Sequence, residues 1–596
     1  MIRSLSFCLA VLLAVVPTVR AADEKPALEP GNYIVYYSFL FSGYSSPDQA
    51  LCLLKVEKKG GDLRASSLAT APKLPIEMSD FKVDGRKIQI NFDLGGRKLT
   101  FEGNVNAKDK KQAFGTFGDD DLISRARLVA TDKDKLEGDD LGKKIDLPES
   151  FTKARQLMGA VQQAQFQVQR AKGEEAKAEA KKKLEAAETE AGEKAPALFK
   201  EVMEKHADGP VVFDAALGLM KTATKSAKPA DIRKLVATVE AAADTYGPRF
   251  QIDLYGKIAD VLKTQKGFSA ETAHVAELAG KLMGEKAPAS LQVRFEKALL
   301  AAYELDGKTD LAKVSAAKLA NLEVILDKEY LAKVPPFKPK AFEGRKGKSD
   351  RAVVMELFTG AQCPPCVAAD VAFDALQKAY KPTDLILIQY HLHIPGPDPL
   401  TNDDSEARSK FYTSGGTPAT YFNGKSAAGG GGGMSNSETK FKQYRGIIDP
   451  LLEEETAIKI VGNVSTMGDK LWIKVEVSGI KEPNENLKLR FVLVEETIKY
   501  VGGNNLRFHH QVVRAMPGGA DGVALKEKTV VTSIDVSLAE VKANLKKYLA
   551  KAEENRPFPN TDRPMDLKHL RLIALVQDDM TKEILQAIQF EVKETK

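Results

Sequence analysis

Residues 356–376 read ELFTGAQCPPCVAADVAFDAL. An uninterrupted apolar strand, AVVMELF from Ala352, leads into the two cysteines, broken only by Glu356. Behind them VAADVAFDALQKAY has helical spacing, with Val371, Ala375, Leu376 and Ala379 on one side. The order continues with DLILIQYHLHI, which reads as a buried strand, and with GGTPATYFNG, a strand start with a proline at its entrance. Residues 352–457 are therefore expected to form an α/β domain in which the cysteine pair marks the change from strand to helix.

That position has a chemical consequence. Pro364 and Pro365 fall in the first helical turn, where a missing N–H costs nothing. Unpaired amides and the helix dipole stabilise negative charge at this end. A thiolate at Cys363 is thus favoured over the ~8.5 of a free cysteine, moderately, because the prolines withdraw two amide donors. Cys366 lies one turn later on the same face, within reach of the first sulfur. A zinc site needs about four ligands, and no second cysteine or Cys/His pair is close. Attachment of a c-type haem needs histidine after the second cysteine, where Val367 stands. A purely structural bridge across one turn closes too small a loop to stabilise much. A dithiol/disulfide redox pair is the reading favoured by these exclusions; a copper(I) clip and an inert remnant stay open.

The residues 352–455 resemble a thioredoxin-fold domain of the secreted thiol–disulfide oxidoreductase type, CPPC resembling its redox motif and GGTPATYFNG its cis-proline loop. The resemblance implies that Pro418 is the cis-proline and that it keeps metal off the sulfurs. It implies that the Thr417 backbone pairs with a bound peptide and that Glu356 is a buried carboxylate moving the proton of the second cysteine. The alternative for Glu356 is a salt-bridged strand end. Gln362 replaces the family's usual aromatic residue before the first cysteine, and HIPGPDPLTNDDSEARSKFYTS and GKSAAGGGGGMSNS depart from the family pattern. The glycine run 429–433 lacks the Lys-Ser/Thr of a phosphate loop. His391 and His393 alternate on one strand and face the same side, beside the redox pair or at a strand end.

Working outward, residues 458–596 return to β patterns such as KLWIKVEVSGI and NLKLRFVLVEETIKYV, which suit an immunoglobulin-like sandwich with a structural or docking role. One helix in this region opens on a Ser537…Glu540 capping box. His509 and His510 are adjacent on a strand and point to opposite faces, so they make a poor metal pair. Upstream, residues 335–351 are a linker rich in Pro, Gly and Lys. Residues 147–334 turn helical. The tract GEEAKAEAKKKLEAAETEAGEKA reads as a solvated helix face. A period of about 41 residues places Phe213, Leu254 and Phe295 in register, and likewise Leu217, Ile258 and Leu299, as expected of stacked helical hairpins or of a bundle spacer. Residues 22–146 form a β-rich domain of about seven or eight short strands, a small barrel or sandwich, with a tight turn at Gly95-Gly96.

The 596 residues suit about four domains, and a net charge of +5 gives no reason to propose nucleic acid as a partner. Residues 1–21 have the basic start, short apolar run and small residues of a signal peptide, with cleavage expected after Ala21. The run is too short for a ~30 Å hydrocarbon core, and no later segment is apolar enough to span. The expected location is periplasmic or secreted. Cleavage removes Cys8 and leaves Cys52, Cys363 and Cys366, too few for a disulfide scaffold. Cys52 reads as a buried strand residue. Two functions follow from these patterns. In one the chain is an exported thiol–disulfide oxidoreductase acting on protein substrates, needing no diffusible cofactor or metal and supplied with electrons by a dithiol partner. In the other it is a non-enzymatic envelope scaffold in which the redox-like unit is incidental.

Overall fold

The alternation read between residues 31 and 131 becomes an antiparallel sheet in the computed structural model of the chain. The structure describes residues 28–38, 40–41, 44–45, 49–71, 76–95, 97–106, 109–119, 123–141, 147–171, 173–206, 211–223, 228–284 and 287–594. The expected signal peptide, Cys8 and Gly96 lie outside them. The chain divides into two units, Met1–Glu323 and Val324–Lys596.

In the first unit the strands are β1 (Gly31–Ser38), the two-residue β2 (Leu40–Phe41) and β3 (Tyr44–Ser45), β4 (Gln49–Lys59), β5 (Asp62–Thr70), β6 (Ile76–Asp84), β7 (Lys87–Leu94), β8 (Arg97–Val105), β9 (Gln112–Gly118) and β10 (Ile123–Thr131). Eight of them form a barrel-like sheet in the order β5-β4-β1-β10-β9-β8-β7-β6. Period-two burial puts Val35, Leu54, Ile90, Phe101 and Leu128 into one core. Gly103 and Gly115 face each other where β8 and β9 run closest: a Cβ on Gly103 would lie 2.3 Å from the Phe114 carbonyl oxygen. Cys52 is buried in this core opposite Val35, its thiol pushed up to about 12 by burial, so it is inert packing.

Helices follow: α1 (Glu149–Arg170), α2 (Glu174–Lys205), α3 (Val212–Ala223), α4 (Pro229–Ala243), α5 (Pro248–Leu262), α6 (Ser269–Met283), α7 (Ala289–Leu305) and α8 (Thr309–Lys333). The charged tract lies on α2 and carries i,i+4 pairs such as Lys183–Glu179 and Lys194–Glu190. The 41-residue period has a packing cause. Phe213, Leu254 and Phe295 sit on the alternate helices α3, α5 and α7, and all three point into one core.

In the second unit the elements are β11 (Val353–Thr359), a 3-10 turn (Pro364–Cys366), α9 (Val367–Ala379), β12 (Leu385–His391), α10 (Asp403–Phe411), β13 (Ala419–Phe422), β14 (Lys425–Ser426), α11 (Ser437–Leu451), β15 (Lys459–Met467), β16 (Lys470–Ser478), β17 (Asn484–Lys499), β18 (Phe508–Ala515), β19 (Val523–Leu525), β20 (Val530–Ser537), α12 (Leu538–Asn555), β21 (Leu570–Asp578), β22 (Ile584–Glu591) and β23 (Lys593–Glu594). One sheet runs β14-β13-β11-β12-β18-β17-β21-β22, with β19 also on β17; a second runs β20-β16-β15-β23. The larger sheet crosses the boundary expected after residue 457, because β12 pairs in parallel with β18 at Gln389 and Val512. It also curls back on itself: the Ile584 amide donates to the Asn423 carbonyl at 3.0 Å. Val354, Phe358, Ile388, Val492 and Ile573 fill the inside of the curl. On the outside, α9 and α11 cover β11 and β12 through Met355, Leu357, Phe373 and Tyr444, while the second sheet packs on β17 and β21.

The segment expected as a linker is fastened to this unit. Arg345 pairs with Asp384 at 3.0 Å and donates to the carbonyls of Arg351 and Leu452, and Phe342 stacks on Tyr380. Among the described residues no helix is long and apolar enough to cross a membrane.

Candidate functional site

The site is built where β11 and β12 end and α9 begins. Cys363 precedes the turn Pro364–Cys366, and the α-helix starts only at Val367. The two prolines thus occupy a tighter 3-10 turn ahead of the helix, closed by the Cys366 amide on the Cys363 carbonyl at 3.1 Å. Cys363 and Cys366 are joined by a disulfide, with their Cα atoms 5.3 Å apart. Both cysteines are buried, at 1% and 0% exposure, while the prolines between them are exposed. The Thr417–Pro418 bond is cis. It brings the Thr417 hydroxyl to 3.4 Å from Cys363 Sγ, with the Thr417 carbonyl at 3.9 Å. Thr417 and Pro418, 54 and 55 residues downstream in sequence, therefore meet the pair in space.

Glu356 does not. Its neighbours Met355 and Leu357 face α9, so alternation turns Glu356 to the opposite side, into the curl of the sheet. There it is fully buried and ion-paired with Arg408 at 2.8 Å, with the hydroxyls of Tyr412 and Tyr390 at 2.5 and 3.1 Å. The expectation that Glu356 moves the proton of Cys366 is corrected. It is a structural anion, closer to the salt-bridged strand residue held as its alternative.

On the α9 side two acids are buried, Asp370 and Asp374, and Asp370 lies four residues after Cys366 and so on the same helix face. Thr359 at the end of β11 donates to one of its oxygens at 2.9 Å, and Gln389 on β12 donates to the other at 3.0 Å. Burial, helped by the nearby Asp374 and Asp398, pushes its carboxyl well above the usual carboxylate range. Gln389 continues the chain, its oxygen 3.1 Å from His391 Nε2, and His391 Nδ1 lies 2.7 Å from Asp398. Asp398 accepts from the amides of Ala361 and Leu400 at 2.6 and 2.9 Å. Burial opposes its charge, but His391 and these amides hold its carboxyl below the ordinary value. A buried polar chain thus runs from Asp370, behind the second cysteine, to Ala361, two residues before the first.

Three further histidines of this unit, His393, His509 and His510, have separate duties. His393 accepts from the Asp398 amide at 2.9 Å and stacks on Tyr548. His509 packs its ring against His391 and bonds the Tyr500 carbonyl at 3.1 Å; burial, and then the charge of His391, bring its value down to about 3. His510 points the other way, to Asp374 at 2.7 Å. Among the described residues no cluster of three His, Cys, Asp or Glu side chains could hold a metal.

Asp370 escapes a sequence reading because an acid on an amphipathic helix reads as solvent-facing. The available signal was that VAADVAFDAL is apolar on every side, leaving its acids no wet face.

No family model matches the chain, and no curated protein matches it. A solved structure titled "HBP35 of Porphyromonas gingivalis" is similar over 41% of this chain and 77% of that one, at 14% identity and a TM-score of 0.28.

Proposed function

We propose that the chain is an exported thiol–disulfide oxidoreductase whose 363–366 pair exchanges with disulfides of protein substrates. The observation that carries this reading is the disulfide itself, formed at the head of a helix with Thr417 of a cis-proline peptide against Cys363 Sγ. In the reducing direction the Cys363 thiolate attacks one substrate sulfur, forming a mixed disulfide and expelling the other substrate sulfur as a thiolate. Cys366 then gives up its proton and attacks Cys363 Sγ, which re-forms the 363–366 disulfide and releases the second substrate thiolate. The substrate gains two electrons and the pair loses two; a dithiol protein restores them. Asp370, one turn from Cys366 on the same helix face and with its carboxyl held well above the usual range by burial, takes the role first given to Glu356: as the carboxylate it accepts the proton that Cys366 gives up, and as the acid it returns it in the reverse direction.

We also read the part built on β11, α9, β12, β13 and α11 as thioredoxin-like. The parallel β11–β12 pair, the antiparallel β13 and the helices packed on one face support that reading. The two sheets enclosing Ile473, Val475, Phe491 and Leu572 support an immunoglobulin-like arrangement for the C-terminal strands. Residues 1–21 serve as a cleaved export signal in this reading.

Dithiothreitol-driven reduction of insulin by the full chain tests the activity. Wild type is expected to turn over, and Cys363→Ser to fall to the uncatalysed rate. Equal rates in both would remove the reading.

A further inference from the structure

Two glycine-bearing segments from distant parts of the second unit lie on the backbone that carries the cysteines. The first is 429–433. The Gly432 amide donates to the Pro365 carbonyl at 2.7 Å, and the Gly432 carbonyl accepts from Ala368 at 2.9 Å. A Cβ on Gly431 would stand 2.2 Å from the Pro365 oxygen, so only glycine allows this approach. The second is 502–504, in the loop between β17 and β18. The Asn504 amide donates to the Ala361 carbonyl at 3.0 Å, and the Gly503 amide to Gln362 Oε1 at 2.9 Å. A Cβ on Gly502 would stand 2.2 Å from the Ala361 oxygen. One segment thus bonds the chain just before Cys363 and the other bonds it just after. With Thr417 on the sulfur, Cys363 is left 1% exposed.

We infer that segments 429–433 and 502–504 are covers that set the substrate class of the pair: closed, the site exchanges with small thiols and disulfides, and a disulfide on a protein reaches Cys363 only after 502–504 lifts from Ala361 and Gln362. The covers are held by a few backbone hydrogen bonds, and the one side chain they bury is that of Asn504, which donates to the Gly360 carbonyl at 3.4 Å and accepts from the Leu506 amide at 3.1 Å; with no apolar side chain to anchor them, their opening lies at the low end of local stability. This inference rests on the redox reading for its meaning, but its test does not need turnover.

The test uses the full chain, reduced, in a Cys366→Ser background, with labelling at Cys363 read by mass spectrometry. Two probes are compared, N-ethylmaleimide and a maleimide carried on a long polyethylene glycol chain. The covered site should discriminate against the bulky probe. Gly502→Val should raise its rate at least about tenfold, equivalent to about 1.4 kcal/mol of lost closure, and change the small-probe rate far less. Gly502→Ala, whose Cβ alone would stand 2.2 Å from the Ala361 oxygen, serves if Gly502→Val does not fold. Hydrogen exchange at Gly503 and Asn504 confirms that the segment has lifted. Equal labelling of wild type by both probes, or an unchanged ratio in a folded variant with faster exchange at 503–504, would overturn the covers. Neither outcome touches the insulin result, so loss of the covers and loss of the redox reading are distinguishable.

Discussion

Asp370 and Glu356 are both fully enclosed carboxyls, yet their neighbours assign them opposite jobs. Glu356 is matched by Arg408, and removing one charge from a buried pair strands the other. Glu356→Gln is expected to cost about 3–5 kcal/mol in urea denaturation. The exchange rate per folded molecule should stay near wild type, because the pair lies across the sheet from the sulfurs. Asp370 has only neutral donors, Thr359 and Gln389, directly bonded to it. Its folded value is raised, so its stabilising contribution is present below the unfolded value and is lost as pH rises through the folded one. Asp370→Asn should therefore raise the melting temperature relative to wild type as pH rises above the unfolded carboxylate value of ~3.9. The same change should slow resolution of the mixed disulfide on the order of 10²-fold, read by quenched-flow trapping, since the proton of Cys366 loses its partner. The cysteines could be named from the sequence because their chemistry is written in adjacent letters, and Thr417 and Pro418 through the resemblance of GGTPATYFNG to a cis-proline loop. Asp370 could not be singled out, because its role depends on β11 and β12 closing over it.

At the scale of the element, α9 is buried on nearly every side, which is why acids on it acquire histidine or amide partners. β18 supplies one such partner and withholds another. His509 resists protonation down to about 3, while His510 is held above its usual value by Asp374, although burial works against that charge. Below ~6.5 the unfolded chain takes a proton that His509 refuses, so its contribution falls as pH falls, by about 2 kcal/mol at pH 5. His510 acts with the opposite sign: its stabilisation is present at low pH and lost as pH rises through its folded value. Urea midpoints at pH 7.5 and pH 5 should show that His509→Gln flattens the acid decline and His510→Gln steepens it. The spacing in the sequence did show the two rings pointing to opposite faces. What each ring meets there was set by β12, which brings His391 to His509, and by α9, which brings Asp374 to His510, both remote in sequence.

Across the molecule, hydrophobic period located strands such as β1, β4, β7, β8, β11, β12, β16 and β17 and the helix α9, because burial is a local demand that each of them carries in its own letters. Strand order is not local. The break at residues 456–458 looks like a domain end, yet β18 adds to the edge of β12, and Val354, Ile388, Val492 and Ile573 share one core. A fragment of residues 352–457 would expose that core and the edge of β12. It is expected to show no cooperative thermal transition by circular dichroism. The most direct measurement on the central claim is trapping with a Cys366→Ser chain, incubated with an oxidised protein substrate and analysed by mass spectrometry. The account predicts one stable adduct, a disulfide between the substrate and Cys363, absent from the Cys363→Ser chain. No adduct, or adducts equally frequent at Cys52, would contradict it.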